Sequence, residues 1–195
     1  MMRKIACLLV FALLICFCGC KNEDISNSST QPSYAEDVGF SLGQKMPDLT
    51  VTDVSGREMT VADLLQEKKL VVLNFWFENC VWCQKEFPAM ELGYQQYKEN
   101  VEILAVNPVD GADNIRSFAE NSSHSFPMAP CSRDLALAFG INGYPTSVFI
   151  DRTGRISLIH AGAITDSNVF YRVFEYYTAE DYTSGTYRNI SEILK

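Results

Sequence analysis

Two segments of the chain are apolar at almost every position, residues 70–77 and 101–106. Runs of this length without polar alternation are typical of strands that are buried on both faces of a sheet. Five shorter segments also have strand character, and the first two, separated by the turn Ser55-Gly56, predict an N-terminal hairpin. The predicted short strands are 49–52, 57–60, 126–129, 147–151 and 156–160.

The longest predicted helix runs from about residue 80 to residue 99. Apolar side chains recur there at spacings of four, three, four and three, which places them on one face of a helix. These residues are Cys83, Phe87, Met90, Tyr94 and Tyr97. Pro88 lies inside the segment and is expected to bend the helix.

Five further segments predict helices, and two of them follow a residue suited to an N-cap, Thr60 or Ser132. They are 61–67, 113–121, 133–139, 166–177 and 183–194. Aromatic residues recur between 170 and 182, and we interpret them as a helix face that packs on a sheet. The alternation of strands and helices, followed by a strand pair and a helix, favours an α/β fold with helices on both faces of a mixed sheet.

The first twenty residues differ from the rest of the chain. Arg3 and Lys4 precede an apolar run, 5–17, which is short for a membrane-spanning helix but fits the core of a signal peptide. The junction Gly19-Cys20 resembles that of a bacterial lipoprotein signal, which implies that Cys20 becomes lipidated. An uncleaved anchor and a secreted protein cut nearby are the alternatives, and each would export the domain. The predicted divisions are a lipoprotein signal peptide at 1–20, a flexible tether at 21–38 and one domain at 39–195.

Charge and cysteine content narrow the function. The formal net charge of the 195 residues is −8, and it becomes −10 when Arg3 and Lys4 leave with the signal. We find no basic cluster for binding phosphate, which argues against a nucleic-acid partner. Four of the seven cysteines lie within the first twenty residues. The remaining three, Cys80, Cys83 and Cys131, are too few for a disulfide-stapled scaffold, so the close pair is expected to be used in chemistry.

Cys80 and Cys83 lie between a predicted buried strand and a predicted helix. A cysteine at a helix N-terminus meets unpaired N–H groups and the positive end of the helix dipole, which stabilise a thiolate. Cys80 is therefore the expected nucleophile, and Cys83, one turn deeper, would resolve the mixed disulfide. A static disulfide and a zinc site are the alternatives, although zinc would need ligands beyond His124 and His160.

The run Leu73-Asn74-Phe75-Trp76, followed by Cys80 to Pro88, resembles the active-site segment of the TlpA/ResA-like thioredoxin family. These proteins are extracytoplasmic, membrane-anchored thiol–disulfide oxidoreductases. The resemblance covers about residues 40–177 and includes Gly143-Tyr144-Pro145-Thr146. It implies a thioredoxin-like α/β fold: a mixed central sheet, helices on both faces and an N-terminal β-hairpin. It also implies that the Cys80–Cys83 disulfide is the redox centre, without a further cofactor or metal.

The resemblance implies a role for several single residues. Cys80 would attack and Cys83 would resolve, while Glu86 matches a carboxylate thought to manage protons at the thiol pair. From spacing alone, Glu86 could equally be a solvated charge on the helix face. Asn74 stands where thioredoxins proper have a buried Asp, which fits a transfer of that duty to Glu86.

The family also implies a substrate groove. Pro145 matches a cis-proline that packs beside the thiols, and the backbone of Tyr144 would line the groove. Trp82 lies between the two cysteines, where side chains tune the redox potential. It is either an exposed docking surface or part of the local core.

Three residues have no clear place in this scheme. Cys131 is interpreted as a small buried hydrophobic side chain, and a third redox thiol or an intermolecular bridge is the alternative. His124 and His160 show no ligand spacing and are predicted to lie on the surface or in loops.

The leading hypothesis is a monomeric reductase of disulfides in exported proteins, supplied with electrons by a membrane thiol transporter. A disulfide-forming oxidase of the same fold is the nearest alternative. A copper-binding chaperone would need a Cys pair spaced one residue wider and a distal His. A non-catalytic binding lipoprotein is a further alternative. A peroxidase would need Thr three residues before its Cys, where this chain has Phe77.

Overall fold

The computed structural model describes residues 38–184 and 190–193. The predicted signal peptide with its Cys20, and all of the predicted tether except Val38, lie outside these residues. The described part contains seven strands and six helices. In chain order they are β1 Thr50–Thr52, β2 Glu58–Thr60, α1 Val61–Glu67, β3 Leu70–Phe75, α2 Val81–Tyr97, β4 Val101–Asn107, α3 Ala112–Asn121, β5 Met128–Pro130, α4 Arg133–Ala138, β6 Thr146–Asp151, β7 Ile156–Ala161, α5 Ser167–Thr178 and α6 Ile190–Ile193.

Five strands form a mixed central sheet in the order β5-β4-β3-β6-β7. β3, β4 and β5 are parallel, whereas β6 runs antiparallel to β3 and to β7. Every side chain of β3, β4 and β6 is buried, as expected for strands covered on both faces. β1 and β2 form a separate antiparallel hairpin. The predicted mixed sheet and N-terminal hairpin are therefore confirmed.

The sheet separates two apolar clusters. On one face, α2, α3 and α5 contribute the buried side chains Phe87, Ile115 and Phe174. On the other face, α1, α4 and the hairpin contribute residues such as Val61 and Ala136. Each fully buried large apolar side chain contributes about 1.5–3 kcal/mol through removal from water. Because both faces are packed in this way, the ends of the strands are held firmly in place.

The structure corrects several predicted element ends. β3 ends at Phe75, so residues 76–80 form a loop before α2. Ser132 caps α4, since its hydroxyl accepts a hydrogen bond from the N–H of Leu135 at 3.1 Å. Thr60 precedes α1, but its hydroxyl pairs with that of Thr50 at 3.1 Å and does not cap the helix. Of the predicted helix at 183–194, the described residues are helical only at Ile190–Ile193.

The parallel strands position the functional end of the molecule. The C-terminal ends of β3, β4 and β5 meet at one edge of the sheet, and β6 begins at the same edge. In open α/β sheets, ligands and catalytic groups gather at the carboxyl ends of parallel strands. The Cys80–Cys83 segment, the loop after β4, Cys131 and Pro145 all follow or precede strands at this edge.

Candidate active site

Cys80 and Cys83 form a disulfide at the beginning of α2. Their sulfur atoms are bonded at 2.01 Å and their Cα atoms lie 5.2 Å apart. Cys80 is the N-cap of the helix, and its Sγ accepts a hydrogen bond from the N–H of Cys83 at 3.1 Å. The structure therefore places the first cysteine where free N–H groups and the helix dipole favour a thiolate.

The two cysteines differ in their surroundings. Cys80 is 5% exposed, whereas Cys83 is fully buried among the side chains of the α2–α5 face. Val81 and Trp82, which separate them, are 62% and 58% exposed. The Trp82 ring is thus on the surface and not part of the local core, and the ammonium group of Lys85 lies 4.4 Å from its centroid. The exposed apolar pair next to Cys80 is suited to contact with another polypeptide.

The loop before Cys80 is fixed by the loop that follows β4. The carboxylate of Asp110 accepts the N–H of Glu78 at 2.6 Å and the side-chain amide of Asn107 at 2.8 Å. The side-chain amide of Gln84 donates to the carbonyl of Glu78 at 2.6 Å. These bonds connect β4, the loop and α2, so the backbone that carries Cys80 is held on both sides.

Glu86 lies one turn after Cys83 and is fully buried. Its Oε2 accepts a hydrogen bond from the amide of Asn74, and its Oε1 accepts the N–H of Ile164, both at 2.9 Å. Burial raises the pKa of Glu86 to about 7, although the hydrogen bonds from Ile164 and Asn74 act in the opposite direction. The alternative of a solvated charge on the helix face is therefore wrong. The carboxyl group can both release and accept a proton at neutral pH.

Sequence reasoning connected Asn74 with Glu86 but missed Ser147 and Ile164, which complete this hydrogen-bond network. The Asn74 amide also donates to the hydroxyl of Ser147 at 2.9 Å, and the Ile164 backbone belongs to the loop after β7. Asn74 and Ser147 are paired across β3 and β6, and both are fully or almost fully buried. A signal was present for these two, because they are polar residues within otherwise apolar buried strands. No sequence pattern marks the backbone N–H of Ile164.

The segment before β6 has the geometry that the resemblance implied. The Tyr144–Pro145 peptide bond is cis. The Pro145 carbonyl accepts the N–H of Gly162 at 2.9 Å, so the loop after β7 contacts both this segment and, through Ile164, Glu86. The half-buried ring of Tyr144 packs edge-on against Phe77, with centroids 5.5 Å apart.

Cys131 follows β5 at the same edge of the sheet but on the opposite core. It is half-buried and packs against the cluster of α1, α4 and the hairpin. Its N–H donates to the carbonyl of Asn107 at 2.9 Å, and burial raises the pKa of its thiol to about 12. A thiol with this pKa is almost entirely protonated at neutral pH and is a poor nucleophile.

The two histidines lie apart from the cysteine pair. His124 is in a loop and is half-buried, with its ring stacked on Phe126 at 5.4 Å. His160 is on β7 and not in a loop, and it is also half-buried. Within residues 38–184 and 190–193, no three His, Cys, Asp or Glu side chains are grouped in a way that would hold a metal ion.

Comparison with known proteins agrees with this geometry. Residues 42–159 match the AhpC/TSA family. The chain is 35% identical over 138 residues to the thiol-disulfide oxidoreductase ResA of Geobacillus thermodenitrificans, which covers 70% of this chain and 78% of that protein. It is 31% identical to the thioredoxin-like protein YneN of Bacillus subtilis over 67% of this chain and 77% of YneN.

Solved structures give the same fold. A putative thiol:disulfide interchange protein DsbE from Chlorobium tepidum superposes with a TM-score of 0.57 and 28% identity, over 64% of this chain and 88% of that one. A putative thioredoxin from Neisseria meningitidis gives a TM-score of 0.61 and 27% identity, over 72% and 94%. The predicted thioredoxin-like fold is confirmed.

Among the described residues, none of the helices has the length and apolar character that a bilayer span requires.

Proposed function

We propose that this chain, which belongs to the TlpA/ResA-like thioredoxin family of thiol–disulfide oxidoreductases, reduces disulfide bonds in exported proteins. The observation that carries the proposal is the position of the cysteine pair. Cys80 caps α2 and is 5% exposed, whereas Cys83 is fully buried in the first turn. A first sulfur that retains some exposure, backed by a second that has none, is the arrangement that two-step disulfide exchange requires.

The reaction begins from the dithiol form of the pair. The Cys80 thiolate attacks one sulfur of a substrate disulfide, a mixed disulfide forms, and the other substrate sulfur leaves as a thiolate. Cys83 then attacks the Cys80 sulfur, which releases the second substrate thiol. Two electrons have passed to the substrate, and the chain is left with the Cys80–Cys83 disulfide that the structure contains.

Glu86 is proposed to accept the proton of Cys83 in the second step. Both residues lie on the same face of α2, three residues apart, and both are buried. A buried thiol is a poor nucleophile until its proton is removed, because burial disfavours the charged form. A carboxyl group whose pKa is about 7 is well matched to that transfer at neutral pH.

The substrate is proposed to bind across the cis-proline segment. Tyr144 and Pro145 lie at the same edge of the sheet as the disulfide, and the exposed ring of Trp82 extends the apolar surface around Cys80. An extended polypeptide at this site would place a disulfide beside the Cys80 sulfur. The exposed apolar area supports a protein substrate over a small thiol.

The location of the protein is part of the proposal. The N-terminal sequence supports an extracytoplasmic lipoprotein in which Cys20 carries the lipid and residues 21–38 connect it to the domain. At the membrane, a thiol-transferring membrane protein would regenerate the dithiol. Nothing in this reaction requires more than a monomer.

The first test is the midpoint potential of the Cys80–Cys83 couple, measured by equilibrating the full-length protein with glutathione or dithiothreitol redox buffers. We expect a value near that of thioredoxin, about −270 mV, as a reductase requires. A value near about −120 mV would instead assign disulfide formation as the function. Two variants test the mechanism: Cys83→Ser should accumulate a mixed disulfide with substrate, and Cys80→Ser should be inactive. Full activity of Cys80→Ser would contradict the catalytic proposal.

A further inference from the structure

A recess lies beside the loop that precedes Cys80. It has a volume of about 430 Å³ and is formed by the loop before Cys80, the first turns of α2 and the C-terminal half of α3. Glu78 lines it and precedes Cys80 by two residues, so their Cα atoms are at most about 7 Å apart. Neither Tyr144 nor Pro145 lines this cavity. We refer to it as the α2–α3 cavity.

Three polar side chains of the α2–α3 cavity already donate a hydrogen bond within the protein. The side-chain amide of Gln84 donates to the Glu78 carbonyl at 2.6 Å. The side-chain amide of Asn121 donates to the Ser117 carbonyl at 2.7 Å. The hydroxyl of Ser122 donates to a carbonyl of α3 at 3.0 Å. Each of these three side chains has therefore given one hydrogen bond to a backbone carbonyl of the protein.

Hydrogen-bond acceptors, by contrast, remain available. Among the described residues, the Glu78 carboxylate and the side-chain carbonyls of Gln84 and Asn121 have no hydrogen-bond partner. Burial lowers the pKa of His124, against the opposite effect of the Glu91 carboxylate, which favours an uncharged imidazole in the cavity lining.

The helix that forms one wall of the cavity adds negative electrostatic potential to that of the Glu78 carboxylate. α3 ends at Asn121, inside the cavity lining, and the carbonyl end of a helix carries a partial negative charge that favours cations. Two aromatic rings complete the lining. Phe87 is fully buried, with its ring centroid 6.0 Å from that of Phe118, so the half-buried Phe118 is the ring that offers apolar surface and a π-face to a ligand. Such walls accept the methylene stem and the charged end of a lysine or arginine.

We propose that the α2–α3 cavity binds a cationic side chain, lysine or arginine, of the polypeptide whose disulfide is exchanged, and that Glu78 selects it. The inference rests on the proposed function and names the class of substrate for the same cysteine pair. The net charge of the whole chain also favours a basic substrate, since a charge of −8 attracts basic partners over a distance. The cavity would then hold a basic residue close to the cysteine under attack.

The test uses two synthetic peptides that differ only in whether lysine or glutamine flanks the cysteine. Each carries one cysteine as a mixed disulfide with glutathione, with lysine two residues to either side in one peptide and glutamine in the other. The full-length protein in detergent micelles, in its dithiol form, is mixed with each peptide, and the second-order rate constant of glutathione release is measured. We expect the lysine peptide to react about fivefold faster or more at low salt. Equal rate constants would overturn the proposal.

Two variants locate the source of the preference. Glu78→Gln keeps the backbone bonds of the loop and removes the charge, and its ratio of rate constants should fall to nearly one. Glu67→Gln removes the same charge from an exposed position on α1, on the other face of the sheet, and should keep the wild-type ratio. If Glu67→Gln loses the preference as well, or Glu78→Gln keeps it, the long-range field and not the cavity is responsible, and the proposal is wrong.

A binding experiment separates this inference from the proposed function. Nα-acetyl-lysine amide is titrated into the oxidised full-length protein, with Nα-acetyl-norleucine amide as the uncharged control. Amide NMR resonances of Ser117, Asn121 and His124 should shift with the lysine compound alone. If they shift while neither peptide is reduced, the cavity is a cation site and the proposed reductase function fails. If they do not shift, the cavity proposal fails whatever the rates.

Discussion

At the scale of single residues, the buried carboxylate of Glu86 has the largest expected effect on the acid–base chemistry of the site. The Asn74 amide donates to it and to Ser147, while the Asn74 Oδ1 has no hydrogen-bond partner among the described residues. An Asp at this position would place a second acceptor against the carboxylate, and two buried carboxylates would compete for one proton. Asn74 therefore supports Glu86 as the single acid–base group of the site.

Glu86→Gln should slow the second step of exchange. In the wild type, the base form of Glu86 increases as the pH rises through about 7, so the rate of resolution by Cys83 should rise through the same range. Removal of this group should slow resolution at pH 7.5 by about 100-fold and abolish the inflection near pH 7. The measurement is the release of substrate from a preformed Cys80 mixed disulfide between pH 5.5 and 8.5.

The glutamine variant is a fair comparison because the site can accommodate it. Its side-chain oxygen can accept the N–H of Ile164, and its amide can donate to Asn74 if the Asn74 amide turns over. The Ser147 hydroxyl can then donate to the same Asn74 oxygen. Glu67→Gln, at an exposed position, provides the control for the loss of one negative charge. An unchanged inflection near pH 7 in Glu86→Gln would remove Glu86 from the reaction.

At the scale of elements, the contact between α2 and α5 fixes the helix that carries the cysteines. Gly93 is buried where the two helices meet. A Cβ atom built on Gly93 would lie 2.7 Å from the Cβ of Phe170 and 3.1 Å from the ring of Phe174. The first distance is too short for any side chain, and its partner atom is attached directly to the backbone. The glycine is therefore required by the close approach of the helices.

Gly93→Ala should destabilise the folded protein. Separation of the helices is expected to cost about 1–3 kcal/mol, and the better helix propensity of alanine returns less than about 1 kcal/mol. The net loss should appear as a lower midpoint of urea unfolding with an unchanged slope. Gly143→Ala is the matched control, because an added Cβ there meets no atom within 4 Å. Equal stability of the two variants would show that the helices adjust without cost.

At the scale of the whole molecule, the apolar pattern was sufficient for most of the architecture. The central layers were identified from the buried runs at β3 and β4 and from the apolar stripe of α2. A continuous apolar run indicates a strand buried on both faces, and apolar residues at helical spacing indicate a helix buried on one face. The Cys80–Cys83 pair and Pro145 were found by motif and resemblance. The Ile164 contact to Glu86 was not, since a backbone N–H has no sequence signature.

The α2–α3 cavity also could not be predicted from the sequence. Glu78 and Asn121 are ordinary surface residues in the sequence, more than forty positions apart. They line one cavity because α3 packs beside α2 on the same face of the sheet. Likewise, the short strand predicted at 126–129 gave no indication that Cys131, which follows it, packs on the core opposite to Cys83. Such placements depend on tertiary packing, which local patterns do not encode.

The burial of Glu86 should also make the stability of the oxidised protein depend on pH. The pKa of a solvated Glu is 4.5, whereas burial raises the folded-state value to about 7. Between these values the folded state binds more protons than the unfolded state, so the free energy of unfolding must fall as the pH rises. From pH 5 to pH 8 this group alone should lower it by about 2 kcal/mol.

Because other groups also titrate, the quantity to measure is the difference between the wild type and Glu86→Gln in urea unfolding. The variant should lose about 2 kcal/mol less than the wild type over this range, and Glu67→Gln should follow the wild type. Parallel losses in all three proteins would mean that Glu86 titrates near its solvated value, and the proton-transfer role would lose its physical basis.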